Sequence, residues 1–218
     1  MLSLMTHTKL SNTSSIFVFL RHGESTGNAE NRHQGQADFP LTKQGKSQIK
    51  KLAAYWKERE MKFDLAFSSP LIRAVESAEI LSKALKVELV FDPIWMERDN
   101  GDLAGMLHDK AKEVLPPPDF TPLFQPIAVT GESQWELFLR AGTALNQLMK
   151  NPPGRYLIIS HGGFLNMVFH AAVGLTPQPN FQGPHFRFSN TGYSTLLYKP
   201  ENDNWILLEH NAISHLDG

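Results

Sequence analysis

The stretch Ile16-Phe17-Val18-Phe19-Leu20-Arg21-His22-Gly23-Glu24-Ser25 decides the fold. Its five leading apolar residues read as a strand buried on both faces, the pattern of a parallel sheet. The strand runs directly into an arginine, a histidine and a glycine. In open parallel α/β sheets, ligands sit beyond the carboxyl ends of the strands, so Arg21 and His22 stand where such a fold places a reactive group. Gly23 lacks a Cβ, which lets the chain turn sharply and a substrate approach the backbone. A basic surface turn reads the same way in isolation, so the assignment depends on matching groups elsewhere.

Working outward, Thr42 is placed to cap a helix whose buried face is Ile49, Leu52, Ala53 and Trp56. Gly45-Lys46-Ser47 looks like the end of a nucleotide-binding P-loop. The first glycine of that motif would fall on Pro40, and no strand immediately precedes it, so the segment reads as a first helical turn. Phe63–Phe67 is a second strand. Ser68-Ser69-Pro70 ends it and opens a helix continuing to about Leu85. Arg73 lies on the first turn of that helix, where a cation is unfavourable and a bound anion would reverse the cost. Val87–Phe91 is a third strand, and Glu97 follows in a loop behind the bulky Trp95 and Met96.

Residues 105–131 hold Pro116-Pro117-Pro118, Pro122 and Pro126, which rule out a long helix in the second half and leave two equal readings, a lid-like excursion over the site and a packed surface loop. A helix is expected over Glu132–Lys150. Tyr156–Ile159 is a fourth strand ending in Ser160-His161-Gly162-Gly163, with an apolar helix after it, which repeats the layout of the opening stretch. Gly192–Tyr198 and Trp205–Leu208 read as two strands at a sheet edge.

Composition narrows the function classes. The 218 residues carry a net charge of -1, which gives no global attraction to nucleic acid or anionic membranes. Anion binding must therefore come from a local cluster. Cysteine is absent, so thiolate chemistry and disulfides are excluded, and a cytoplasmic setting is the expectation. Residues 1–15 are polar, lack the apolar region of a secretory signal and read as a flexible tail ahead of one domain over 16–218. No run of about eighteen apolar residues marks a membrane span.

Three strand ends thus offer Arg21-His22, Arg73 and His161. In a parallel sheet they converge in one crevice and form an anion site, and two arginines with two histidines suit phosphate. On these residues the chain resembles the histidine phosphatase superfamily, in its phosphoglycerate-mutase-like branch, from Phe17 to Tyr198. The matching elements are Arg-His-Gly-Glu-Ser at 21–25, Gln34-Gly35, and Ser-Ser-Pro-x-x-Arg-Ala at 68–74. They continue with Glu97 and its spaced glycines Gly101 and Gly105, Gly-Glu-Ser at 131–133, and Ser-His-Gly-Gly at 160–163.

The resemblance implies a three-layer α/β/α sandwich with a mostly parallel central sheet, and a small phosphorylated substrate. It implies that His22 attacks phosphorus, that Arg21, Arg73 and His161 hold the equatorial oxygens, and that Glu97 protonates the leaving oxygen and then activates water. Asn28, Gln34 and Gly162 follow as lesser phosphate contacts, with neither metal nor other cofactor required. Two nearby arginines disfavour imidazolium at His22, and a phosphate beside Glu97 favours its acid form.

Phosphatases and mutases share this framework. Mutases of the glycolytic type carry an arginine pair after the catalytic glutamate to hold a second acidic group. Between Asp99 and Leu139 this chain has no arginine, only Lys110 and Lys112 as strong bases, along with prolines, Phe120 and Phe124. That favours a phosphatase acting on a monoester with an uncharged or aromatic leaving group. A mutase and a non-catalytic phospho-ligand-binding module remain the alternatives. A metal hydrolase is disfavoured because His22 and His161 each stand beside glycine, apart from any ligand pair, and no Gly-x-Ser-x-Gly elbow supports a serine hydrolase. His33, His108, His170, His185, His210 and His215 are expected to be mostly structural or solvated, with the border of the pocket as the alternative place for His185.

Overall fold

Strict alternation in the opening strand sets the layers. The structure, a computed structural model, describes residues 13–217. In β1 (Ser15–Arg21), Ile16, Val18 and Leu20 face one core, while Phe17 and Phe19 face the other. Period-two side chains buried on both sides require cover above and below. Helices α2 (Lys43–Glu58) and α3 (Ile72–Leu85) cover the first face through Ile49, Leu52, Trp56, Ala74, Ala78 and Leu81. Helices α5 (Gln134–Leu148) and α6 (Gly162–Ala172) cover the second through Leu137, Ala141, Phe164 and Phe169.

Among the described residues the sheet has six strands, adding β2 (Leu65–Ser68), β3 (Leu89–Phe91), β4 (Arg155–Ser160), β5 (Tyr193–Lys199) and β6 (Asn204–Ala212), in the order β3-β2-β4-β1-β5-β6. The pairings β1–β4, β2–β4 and β2–β3 are parallel, and β5 runs antiparallel to both its neighbours. The expected α/β sandwich with a mostly parallel sheet is therefore present, with an antiparallel margin. Register places Arg21 opposite Ser160, and Ser68 opposite Ile159. The carboxyl ends of β1, β2 and β4 thus lie side by side.

Local signals explain the boundaries. Thr42 Oγ1 accepts from Gly45 N at 2.9 Å, so Gly45-Lys46-Ser47 is a helical first turn. Gly45 is required there because a Cβ would lie 2.0 Å from the Glu24 carbonyl oxygen. Ser133 and Glu136 form a reciprocal capping box that starts α5 at Gln134, two residues later than the sequence suggests. The short α1 (Thr26–Ala29) is capped by Ser25.

The 105–131 segment opens with α4 (His108–Val114) and is irregular beyond it, where the prolines stand. Of the expected tail, residues 1–12 lie outside the described residues. Its other boundary moves: Ser14 and Ser15 are buried, and β1 begins at Ser15, because Gly154 N donates to Ser15 Oγ. Among the described residues no helix is long and apolar enough to cross a membrane.

Candidate active site

His22 follows β1 and is 2% exposed. Its Nδ1 lies 2.6 Å from the Gly23 carbonyl oxygen, an acceptor only, so Nδ1 carries the proton and Nε2 holds the lone pair. Burial foremost, then Arg73 and Arg21, holds its pKa well below the ordinary 6.5. The unprotonated form that a nucleophile needs is therefore the resting form.

His161 follows β4, fully buried, with its ring centre 5.1 Å from that of His22. Arg73 Nε donates to its Nδ1 at 3.2 Å, which leaves Nε2–H to donate to Ser69 Oγ at 2.8 Å. Both ring nitrogens are thus engaged by protein. Arg73, 1% exposed, also donates to the Ala37 and Gly35 carbonyls at 2.8 and 2.7 Å. Each of its terminal nitrogens keeps a second N–H. Burial lowers its pKa to about 10 against the opposing pull of Glu97 and Asp38. Arg21 Nη1 donates to the Phe188 carbonyl at 2.7 Å, while among the described residues its buried Nε has no partner. A position for a Cβ on Gly162 lies 3.4 Å from that Nε, so Gly162 keeps the backbone open beside it.

Glu97 supplies what α6 lacks. That helix has no side-chain cap of its own, and Gly163 N and Phe164 N donate to Glu97 Oε2 and Oε1 at 3.0 and 2.8 Å. Arg98 N adds a third donor at 2.8 Å. The carboxylate thereby sits at a helix N-terminus, a favourable place for negative charge. A Cβ on Gly163 would lie 2.7 Å from Oε1, so the second glycine of Ser-His-Gly-Gly makes room for an acid 66 residues away.

Asn28 and Gln34 are joined by Ser25. Its Oγ donates to Gln34 Oε1 at 2.6 Å, and its backbone N–H donates to Asn28 Oδ1 at 3.2 Å. Two residues carry parts that sequence reasoning missed. Asn190 Nδ2 donates to the His22 carbonyl at 3.2 Å and to Asn28 Oδ1 at 3.1 Å, tying the β5 approach to the His22 turn. Arg140 on α5 clasps Glu132 through two 2.8 Å bonds and donates to the carbonyls of Ile94, Met96 and Glu97. The sequence held a signal for this second device in Gly131-Glu132-Ser133 ahead of a helix, but not its partner.

Beside this crevice lies a cavity of about 540 Å³ beneath the proline-rich segment. His22, Arg21, Arg73 and Glu97 do not line it. It adjoins them through Arg98 and through Asn100, which packs on Gly35. His33 and His108, expected to be structural or solvated, stand with ring centres 3.8 Å apart, tilted by 32°, and line it. His185 is exposed, against the Phe181 carbonyl. Among the described residues no group of three histidines and acids is arranged to hold a metal ion.

Comparison with known proteins matches this architecture. The family profile of the histidine phosphatase superfamily, branch 1, matches residues 17–212. The probable phosphoglycerate mutase GpmB of Shigella boydii is 31% identical over 209 residues, covering 91% of this chain and 93% of that protein. The uncharacterized phosphatase PhoE of Bacillus subtilis is 29% identical over 200 residues, covering 91% and 95%. The crystal structure of a putative α-ribazole-5'-P phosphatase from Escherichia coli superposes with a TM-score of 0.79 at 21% identity, covering 91% and 97%. The chain belongs to the histidine phosphatase superfamily, branch 1.

Proposed function

We propose that this protein hydrolyses small phosphomonoesters through a phosphoryl group carried on His22. The observation that supports this most is the buried His22 ring, with its proton on the Gly23 side and its lone pair on Nε2. In the first step that lone pair forms a bond to phosphorus, the bond from phosphorus to the ester oxygen breaks, and the leaving oxygen takes a proton from Glu97. In the second, water attacks phosphorus, its proton passes to Glu97, and the phosphorus–nitrogen bond breaks to release phosphate.

Arg21 Nε and the spare N–H groups of Arg73 are donors available to the equatorial oxygens, where charge spreads in the transition state. His161 can join them only by exchanging its Ser69 partner for a phosphate oxygen. Glu97 must likewise carry a proton and release one of its three backbone donors before it acts as an acid. Asn28, Gln34 and Gly162 line the approach.

A mutase is the second reading, favoured by the GpmB-named relatives. Phosphate release from p-nitrophenyl phosphate, with EDTA present, tests the first. Wild type turns over and His22→Ala does not. Residual turnover in the variant overturns the nucleophile, and isomerisation of phosphoglycerate outrunning hydrolysis replaces the phosphatase by the mutase.

A further inference from the structure

The turn His22-Gly23-Glu24 is gripped at every backbone polar group. His22 N donates to the Ser160 carbonyl at 3.0 Å, and the His22 carbonyl accepts from Thr191 N at 3.3 Å and from Asn190. Gly23 N donates to Ser77 Oγ at 3.1 Å, and the Gly23 carbonyl takes the His22 ring proton. Glu24 N donates to Gln48 Oε1 at 3.0 Å, and the Glu24 carbonyl accepts from Thr42 N at 2.9 Å. The hydrolytic steps assign nothing to Ser77 on α3 or to Gln48 on α2.

Gln48 holds the amide that matters most. The Gly23 carbonyl and the Glu24 N–H belong to one planar unit, so whatever fixes that N–H also fixes where the carbonyl points. Hydrogen bonds in a chain polarise one another, so an engaged N–H makes its carbonyl a better acceptor. The chain here runs from Gln48 Oε1 through Glu24 N–H and Gly23 C=O to His22 Nδ1–H. Glu24 N is a donor, so the Gln48 amide presents its oxygen. Packing presses the same turn onto α2: a Cβ on Gly23 would lie 2.7 Å from the Gly45 carbonyl oxygen and 3.1 Å from Ile49 Cγ1. Gly45, Gln48 and Ile49 share one face of that helix. Ser77, fully buried, steadies the neighbouring amide and donates its own proton to the Arg73 carbonyl at 2.7 Å.

A neutral imidazole has two tautomers, and only the one with its proton on Nδ1 leaves a lone pair on Nε2. From this chain of bonds we infer that Gln48 is a positioning residue for His22. It aims the Gly23 carbonyl, and through that carbonyl it holds the ring in the tautomer and orientation that attack needs. Its place in turnover rests on the phosphatase reading, but its effect on the tautomer does not.

Three variants test this. Gln48→Met keeps the bulk and removes the acceptor, Gln48→Ala removes both, and Gln48→Glu keeps an oxygen. Ring-nitrogen NMR shifts of protein carrying labelled histidine, assigned against His22→Ala, report the tautomer without any substrate. kcat/KM for p-nitrophenyl phosphate reports attack by His22, and competitive inhibition by inorganic phosphate reports the arginines. Wild type is expected to show His22 in the Nδ1–H form alone. Gln48→Met and Gln48→Ala are expected to admit the Nε2–H form and to lose about tenfold in kcat/KM, the worth of one hydrogen bond, with phosphate inhibition unchanged. Gln48→Glu is expected to restore both.

A tautomer shift in variants of a protein that hydrolyses no phosphomonoester supports the role of Gln48 and overturns the phosphatase reading. Unchanged ring-nitrogen shifts in both acceptor-free variants overturn the role of Gln48, and full hydrolysis beside them leaves the phosphatase reading intact. Gln48→Glu as impaired as Gln48→Met overturns the part given to the acceptor. The wild-type spectrum is a test without any variant, because His22 in the Nε2–H form overturns the proposal outright.

Discussion

Replacing Arg140 by methionine separates the placement of Glu97 from its chemistry. Met keeps much of the aliphatic length and removes every donor. Glu132, 13% exposed in its side chain, then loses both 2.8 Å bonds, and the carbonyls of Ile94, Met96 and Glu97 lose a shared donor. Removing one partner of a buried pair costs about 3–5 kcal/mol, and the partial exposure here argues for about 3, which lowers Tm by roughly 6–12 °C for a chain of this size. Urea unfolding at pH 7 measures the stability, with an unchanged m-value required for the comparison. Steady-state hydrolysis measures the rest: the freed Glu97 segment drops kcat by up to about 100-fold, the scale of a 1 Å misplacement. The double variant Arg140→Met with Glu132→Gln removes the stranded charge, so stability recovers in part while kcat stays low. A single variant as stable and as active as wild type, or a double variant that recovers kcat along with stability, refutes the positioning role.

Two further outcomes follow from the same geometry. Gly163→Ala places a methyl 2.7 Å from Glu97 Oε1, at the end of a flexible side chain; the fold is retained and kcat falls at least tenfold on the same misplacement scale, whereas an unchanged kcat shows that Glu97 is not needed at the α6 terminus. His215, bonded through Nε2 to Thr191 Oγ1, has its pKa lowered from 6.5 to about 4, by burial foremost. The unfolded state therefore binds the extra proton between those values, so this contribution to stability is complete above pH 6.5 and is lost as pH falls toward 4. His215→Gln flattens the pH dependence of the urea midpoint over that window, and an identical slope in the variant removes His215 as a cause.

The layers and the crevice were legible because their signals are local. Ile16–Leu20 is apolar at every position, so both faces had to be covered, and the histidines at 22 and 161 stand directly after strands. Register did the rest by aligning those strand ends. What the sequence concealed depends on contacts between distant segments. Glu97 caps α6 across 66 residues, Asn190 reaches back to the His22 turn, and Arg140 holds the Glu97 segment from the outside of the crevice. No periodicity marks such pairs. The third strand came out shorter than expected, Leu89–Phe91, and the last longer, Asn204–Ala212. Both are sheet edges, where one neighbour alone fixes the ends.

The cavity shows how a correct count can mislead. Arginine is absent from 99–139, yet the cavity draws its charge from His33 before that stretch and from Arg98 at its border. Histidines 33 and 108 meet where Arg32 bridges to Leu107 and His33 N donates to the Met106 carbonyl. Folding brings to one wall what the sequence spreads over 80 positions.

A phosphoryl group proposed on His22 is open to direct capture. Enzyme mixed with a radiolabelled phosphomonoester is quenched in alkali within the first turnover, and the label is mapped by peptide mass spectrometry. The expected result is one phosphoryl group per chain on His22, labile to acid, absent from His22→Ala, and accumulating when Glu97→Gln slows its hydrolysis. Label on another residue, or turnover by a protein that never carries label, contradicts it.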